Sequence, residues 1–129
     1  MSVRLTITGL QEAQAANNQL IAAMKPDNAF GRGIQYAVAT AQRYAIALTH
    51  VDTGALRASH RMAIEAGGLR GSVSIDPSGR NPRTSARTAE YGVDEHARGG
   101  EHAFYQRVID EHGDDIVEEA GRIILRGLP

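Results

Sequence analysis

The sequence predicts an α+β fold, with a small antiparallel sheet packed against two or three helices. Apolar residues change twice from strict alternation, which is typical of a half-buried strand, to the three-and-four spacing of a helix face. Clusters of Gly, Pro, Asn and Asp separate these segments. The 129 residues suit a single domain, 1–129, and aromatic residues make up only 5% of them. We therefore expect a core of small aliphatic side chains.

The first two predicted elements are a short strand and a helix. Residues 3–7 alternate between apolar and polar side chains, which predicts a strand that ends at Gly9. From Leu10 to Met24 the apolar residues follow helical spacing. The Lys-Pro-Asp-Asn stretch at 25–28 then interrupts the pattern.

The central helix is the clearest prediction. Small and apolar side chains form one stripe from Phe30 to Leu48, with Asp27 or Asn28 as the N-cap and an end near His50. Two glycines weaken the first turn. A helix of this length spans roughly 30 Å. Because small residues dominate the stripe, a partner can approach this face closely.

A hairpin and two loops are predicted next. Residues 59–66 alternate again, Gly67-Gly68 marks a turn, and apolar residues of the following run indicate a return strand. Residues 76–83 are rich in Pro, Ser, Gly, Asn and Arg, which predicts an exposed loop, mobile in the free protein. Residues 87–93 fit either a short helix or a strand, and residues 94–100 predict a second loop.

The last predicted element is a helix over residues 103–125. Its apolar residues fall on or near one face, and Phe104 lies at its start. Gly113 marks a place where this helix could kink or divide in two.

Composition excludes several classes of function. The chain has no cysteine, which excludes disulfides, thiolate zinc sites and a cysteine nucleophile. No G-x-S-x-G motif is present, so no enzyme is predicted. A formal net charge of -1 gives no general attraction to nucleic acid. No run reaches the roughly 18 apolar residues of a membrane span. Residues 1–10 lack the features of a signal peptide, so we expect use in a cytoplasm or in an assembly built there.

Histidines raise the alternative of a metal site. His96 and His102 lie among Asp94, Glu95 and Glu101, and these are ligand types for a divalent ion. However, the two histidines do not have the i, i+4 spacing of a metalloprotease helix, and the intervening glycines indicate a flexible loop. The sequence therefore predicts no metal and no cofactor. A metal-dependent hydrolase that uses the two histidines is the least favoured alternative.

Four arginines in the predicted loops are candidate functional residues. They are Arg80, Arg83, Arg87 and Arg98. These side chains could bind phosphate groups of a nucleic acid. They could also meet the acidic C-terminal helix of a neighbouring copy, in the head-to-tail contact that closes a ring. The candidate acidic residues are Asp110, Glu111, Asp114 and Asp115. Subunit contact is favoured over DNA, and a solvated surface is an equally good alternative.

The run V-D-T-G-A-L-R-A-S after the central helix predicts a structural turn. Asp52 or Thr53 can hydrogen-bond nearby backbone amides, and Gly54 permits a sharp reversal. Leu56 then enters the core. Arg57 either anchors the turn or crosses to a neighbouring subunit.

This run, V-D-T-G-x-L-R-x-S after a long Ala-rich helix, resembles the tail-completion, or minor tail, family of long-tailed double-stranded-DNA bacteriophages. The order of the other elements is similar as well. Thr8-Gly9-Leu10 begins the first helix, Glu90-Tyr91-Gly92 resembles an acid–aromatic–Gly segment, and Ala103-Phe104 opens the last helix. The resemblance covers nearly the whole chain. It departs at Ala103 and Val108, in a region where the family commonly has prolines.

The resemblance implies a non-enzymatic structural protein of the virion neck, assembled in the host cytoplasm. Copies would form a ring, six-fold or twelve-fold, at the head–tail junction or the head-proximal end of the tail. Its neighbours would be connector or stopper, tail terminator or tail-tube proteins, with no membrane partner. DNA could pass through the lumen without sequence-specific contact.

Assembly would be the mechanism that this resemblance implies. Ordering of loops 76–87 and 94–102 against neighbours would cost entropy, so free subunits should associate weakly. The alternative function is a nucleic-acid-binding accessory protein that uses the Arg80–Arg98 loops.

Overall fold

The computed structural model describes residues 3–6, 8–25, 27–50, 54–65, 67 and 69–128. Within these residues the predicted α+β class is confirmed, as five α-helices and a two-stranded antiparallel sheet. The elements are α1 (Leu10–Ala23), α2 (Ala29–Leu48), α3 (Ala55–Ala58), β1 (His60–Glu65), β2 (Arg70–Ile75), α4 (Thr88–Ala97), a 3-10 helix (Gly100–His102) and α5 (Phe104–Gly127). No helix in the described part of the chain is long and apolar enough to cross a bilayer.

The two long helices, α2 and α5, pack together and form the frame of the fold. They run antiparallel, with the start of α2 against the end of α5. Ala45 of α2 is fully buried in a cluster with Val108 and Ile116 of α5. The division suggested at Gly113 is wrong, because α5 continues through it as one helix of 24 residues. A helix interior tolerates a glycine at about 1 kcal/mol relative to alanine, and packing on α2 offsets that amount.

The buried glycines of α2 explain how closely the two helices approach. A Cβ at Gly33 would lie 2.5 Å from Cγ1 of Ile124 and 3.0 Å from the carbonyl oxygen of Ala120. No side chain larger than hydrogen fits there without movement. From the sequence these glycines were expected only to weaken the first turn. The close contact between α2 and α5 is the physical reason that glycine occupies these positions.

The predicted hairpin is confirmed. β1 and β2 pair antiparallel in a register that runs from His60 opposite Ile75 to Glu65 opposite Arg70. Gly67 lies in the connection with φ +64°, and Gly68 lies outside the described residues. The hairpin packs across the middle of α2, where Gly71 touches the side chain of Val38.

Burial of the hairpin face is uneven. His60 is 5% exposed, whereas Met62 on the same predicted face is 46% exposed. This face is therefore covered only in part by α2, and Met62 lies in its exposed part.

The strand predicted over residues 3–7 is wrong where the structure describes it. Residues 3–6 form no strand, and Ile7 lies outside the described residues. Val3 and Leu5 are 92% and 84% exposed. Alternation shows that a segment can pair, but a strand needs a neighbouring edge, and no described segment of this chain supplies one.

The ambiguous segment 87–93 belongs to a helix. α4 covers Thr88–Ala97, so the second loop predicted over 94–100 is wrong for its first four residues. Gly92 explains why the helix docks here, because a Cβ at this position would collide with side-chain atoms of Ile75 and Leu56. α4 therefore lies close against the hairpin and α3. The local sequence does not distinguish a helix from a strand here, and this packing favours the helix.

Candidate functional site

The turn after α2 has the conformation that its glycine predicts. Gly54 adopts φ +85°, and Leu56 is buried at 7% exposure. Asp52 and Thr53 lie outside the described residues. Nη2 of Arg57 donates a hydrogen bond of 3.0 Å to the carbonyl oxygen of Thr49, at the end of α2. Two roles were considered for Arg57, an anchor of the turn and a contact with a neighbouring subunit. The hydrogen bond within this chain corresponds to the anchor.

A buried histidine links the end of α2, the start of β1 and the start of α5. His60 lies between Thr49, whose Oγ1 is 2.6 Å from Nε2, and Tyr105, whose hydroxyl is 2.8 Å from Nδ1. The Thr49 hydroxyl donates its proton to the carbonyl oxygen of Ala45, at 2.6 Å. Nε2 of His60 must therefore carry the ring hydrogen and donate a hydrogen bond to Oγ1 of Thr49. Nδ1 then accepts a hydrogen bond from the Tyr105 hydroxyl.

The environment of this histidine makes it a neutral structural group. Burial lowers the pKa of His60 from 6.5 to about 4 and raises the pKa of Tyr105 to about 12. Both groups therefore stay neutral at pH 7 with every ring nitrogen and hydroxyl paired. The sequence placed His60 on the apolar face of its strand but gave no sign of these two partners, which are distant along the chain.

The last residue of the V-D-T-G-A-L-R-A-S run connects the turn to α4. The hydroxyls of Ser59 and Thr88 lie 2.8 Å apart, and both side chains are buried. The amide of Thr88 donates to the carbonyl oxygen of Gly79 at 2.9 Å. A Cβ at Gly79 would collide with both hydroxyls. The turn, the following loop and α4 are thus held at one point.

The loop predicted as exposed and mobile, residues 76–83, has internal structure that continues to residue 86. Ser78 donates from its amide and its hydroxyl to Oδ1 of Asp76, at 2.9 and 2.8 Å, and these bonds hold the pKa of Asp76 below its ordinary value. Asn81, at 9% exposure, donates its amide to Ala86 and accepts from the amide of Ser85, each at 2.8 Å. The loop therefore has a buried centre and fixed turns, with its outer side chains exposed.

The four candidate arginines do not form one patch. The backbones of Arg80 and Arg87 form an isolated antiparallel bridge. Nη1 of Arg80 donates a hydrogen bond to the carbonyl oxygen of Ser85. Arg83 lies exposed on the same loop. Arg98 lies at the other end of α4, roughly 16 Å away by helical rise, and contacts Oε2 of Glu95 at 3.2 Å. The structure therefore brings three of the four to one loop.

The four candidate acidic residues lie on exposed positions of α5. Glu111 accepts two hydrogen bonds from Arg107, at 3.1 and 3.2 Å, and Asp110 accepts one from Gln106 at 2.9 Å. Asp114 and Asp115 make no side-chain hydrogen bond or ion pair with any other described residue. These two carboxylates are therefore free to pair with a second molecule.

The first helix presents its apolar stripe to solvent. Its exposed residues are Leu10 at 61%, Leu20 at 46%, Ile21 at 52% and, at the C-cap, Met24 at 42%. Ala23 is buried and marks the side that faces α2. The helix predicted from this spacing is confirmed, and most of its apolar stripe is exposed in the described chain.

A second exposed apolar surface lies along α5. An open groove of about 410 Å³ runs between α2, β2 and α5. Ile109 and Val117, on its α5 side, are 64% and 72% exposed. Val73 of the hairpin and Val108 of the core line the same groove.

The histidine pair considered from the sequence is not the one that the fold brings together. The ring of His96 packs edge-on against Phe104, with the ring centroids 5.1 Å apart. His102 instead lies beside Glu95 and His50, and each of these three offers one ligand atom within 4.8 Å of the others. We call these three residues the His50 cluster. Sequence spacing could not reveal it, because His50 lies 45 residues before Glu95, just after the end of α2.

The carboxylate of the His50 cluster is held from two sides. Its Oε1 lies 2.6 Å from Nδ1 of His102 and 3.6 Å from Nδ1 of His50, while Arg98 binds Oε2. Burial raises the pKa of Glu95, but the hydrogen bonds from His102 and Arg98 outweigh it, and the pKa lies below its ordinary value.

Comparison of the chain with models of protein families, with curated proteins and with solved structures found no match.

Proposed function

We propose that this chain is a non-enzymatic structural protein of a bacteriophage neck. Copies of it form a ring at the head–tail junction or the head-proximal end of the tail, and join or complete the tail. The resemblance of residues 51–59, together with the matching order of elements, is the basis in the sequence. In this proposal the ring has six or twelve copies and contacts connector, terminator or tail-tube proteins.

The exposed stripe of α1 is the observation that carries the proposal. An isolated helix of this length is marginal in water even for favourable sequences, and helices in proteins gain most of their stability from a buried apolar face. The face of α1 that could supply this stability carries Leu20 and Ile21, both about half exposed. The described part of this chain leaves about half of each of these two side chains uncovered. A neighbouring copy in a ring supplies a surface that covers them.

Charged groups support a head-to-tail contact between copies. Asp114 and Asp115 are exposed on α5 without partners among the described residues, and the loop with Arg80, Arg83 and Arg87 lies on a different part of the chain. Two different surfaces that complement each other make a heterologous contact, which closes into a ring when the rotation between copies allows it.

The nucleic-acid alternative has weaker support. Arg98 is separated from the other three arginines and pairs with Glu95, and Arg87 lies 3.9 Å from Glu90. Carboxylates beside the guanidinium groups reduce the field that a phosphate backbone would meet. A binder with several phosphate contacts should nevertheless show strong retention on duplex DNA at low salt, and a steep loss as salt rises. Such retention would favour the alternative over the ring.

The proposal is tested in the phage that encodes the chain. Deletion of its gene should give heads and tails that accumulate unjoined, seen by electron microscopy, and mass spectrometry should find the polypeptide in intact virions. Infectious particles at normal yield after deletion, or virions without the polypeptide, would contradict it.

Two matched variants of α1 test the surface that carries the proposal. Leu20→Glu places a charge in the exposed stripe, and Gln11→Glu places the same charge on another exposed side of the helix. We expect the first to reduce joined particles strongly and the second to leave them unchanged, and thermal unfolding of the free proteins checks that both variants are folded. Equal yields from the two variants would remove α1 from the interface.

A further inference from the structure

The His50 cluster joins three parts of the fold that are distant in sequence. His50 follows the C-terminal end of α2, Glu95 lies in the last turn of α4, and His102 ends the 3-10 helix. The rings of His50 and His102 meet edge to face, with centroids 4.5 Å apart. Two imidazoles and one carboxylate therefore converge here from three separate elements.

We propose that His50, Glu95 and His102 bind a divalent transition-metal ion, and that Zn²⁺ fits this site best. Imidazole nitrogens and a carboxylate oxygen are the ligands that zinc takes in open, three-residue sites. Magnesium and calcium prefer all-oxygen ligands and are poorly matched by two histidines. The proposal does not depend on the assembly proposed above.

The spacing of the ligand atoms is close to what a tetrahedral zinc ion requires. Bonds of roughly 2.0–2.1 Å place two ligand atoms about 3.3 Å apart. Nδ1 of His50 and Oε1 of Glu95 are 3.6 Å apart. Nδ1 of His102 and the same oxygen are 2.6 Å apart, so they must separate by about 0.7 Å to admit zinc. A small side-chain rotation gives this opening, because the metal replaces the hydrogen bond between them.

Groups around the cluster orient its ligands. Nη1 of Arg98 holds Oε2 of Glu95 at 3.2 Å and leaves Oε1 for the metal. Oε1 of Glu101 lies 3.7 Å from Nε2 of His102, the ring nitrogen that does not face the cluster. A carboxylate at the outer nitrogen of a metal-binding histidine fixes its tautomer and increases its basicity. Glu101 is near enough to take this role after a small side-chain movement, and the bond from Arg98 to Glu95 is already formed.

The exposure of the cluster determines what the metal does. The His50 side chain is 43% exposed, while those of Glu95 and His102 are 18% and 20% exposed. Three protein ligands leave a fourth position, which faces solvent and takes a water molecule. The ion ties the end of α2 to α4 and to the 3-10 helix, so it stabilises the region next to the turn at Gly54.

The test is zinc binding by the untagged protein after dialysis against a chelator. Isothermal titration should give one Zn²⁺ per chain, and Co²⁺ should give the absorption bands of a four-coordinate N/O site. Zinc should also raise the thermal midpoint, because a ligand that binds only the folded state stabilises it. His50→Gln, Glu95→Gln and His102→Gln should each lower the affinity at least about tenfold, the scale of change seen on disturbing metal sites.

His96→Gln is the matched control, because His96 is adjacent to Glu95 but outside the cluster. This variant should bind zinc as the unaltered chain does. His50→Gln keeps the test interpretable if the more buried variants fail to fold, because His50 is the most exposed of the three ligands. Absence of stoichiometric zinc binding, or binding that His96→Gln removes and His50→Gln does not, would overturn the proposal.

Discussion

Tyr105 donates a part-buried hydrogen bond of 2.8 Å to Nδ1 of His60, and so joins the first turn of α5 to the first residue of the hairpin. The ring of Phe104 packs edge-on against the same imidazole, with centroids 5.2 Å apart. This contact matters for the whole fold, because the hairpin otherwise packs mainly on α2. A neutral, fully paired histidine thus connects the sheet to both long helices.

The free energy of unfolding should fall as the pH is lowered from about 6.5 to about 4. In this range the unfolded chain binds a proton at His60 and the folded chain does not. The pKa of His60 is about 4 in the folded protein against 6.5 unfolded. The contribution of the neutral ring is complete above pH 6.5 and decreases down to about pH 4, by about 3 kcal/mol in total. Urea midpoints measured between pH 7.5 and pH 4 should show this decrease. His60→Gln should lack that component, and an identical pH profile in the variant would contradict the prediction.

Tyr105→Phe should destabilise the protein by about 1–3 kcal/mol, because Nδ1 of His60 then remains buried without its donor. Tyr36→Phe is the control, since the Tyr36 hydroxyl has no hydrogen-bond partner among the described residues. Chemical denaturation of both variants at pH 7 measures the difference. Equal stabilities of the two would show that the Tyr105 contact contributes nothing.

Gly33→Ala and Gly121→Ala should have effects of opposite sign. A Cβ at Gly33 would overlap Ile124 and approach the backbone of Ala120, so the α2–α5 contact must open, at about 1–3 kcal/mol. A Cβ at Gly121 meets nothing within 4 Å, so alanine should stabilise α5 by about 0.5–1 kcal/mol. Thermal midpoints of both variants test the close approach of the helices. Stabilisation by Gly33→Ala would refute it.

Gly54→Val should destabilise the fold through backbone strain alone. The glycine has φ +85°, and a Cβ there would meet nothing within 4 Å. A side chain in the left-handed region costs roughly 1–2 kcal/mol, more for a β-branched residue and less for asparagine. Gly54→Asn should therefore lie between the native chain and the valine variant in thermal stability. A valine variant as stable as the native chain would show that the turn does not require this conformation.

The elements predicted correctly are those marked by a long periodic pattern of apolar residues. The stripe of α2 predicted both its helix and its role as a packing face, and the alternation on either side of Gly67 predicted the hairpin. Residues 3–6 show where this reasoning fails, because the same alternation has no pairing edge in the described chain. α4 shows the opposite case, since Gly92 docks a weakly patterned segment against Ile75.

The sequence by itself determined the class of fold, the central and C-terminal helices, and the reversal at Gly54, because periodicity and glycine chemistry act over a few neighbouring residues. Only the tertiary structure decided which polar side chains meet: Tyr105 with His60, and His102 with His50 instead of with His96. These pairs come from different elements, and their contact depends on how closely α2 and α5 approach and where the 3-10 helix ends. Such distances are set by packing across the whole molecule. A pattern of neighbouring residues in the sequence does not predict them.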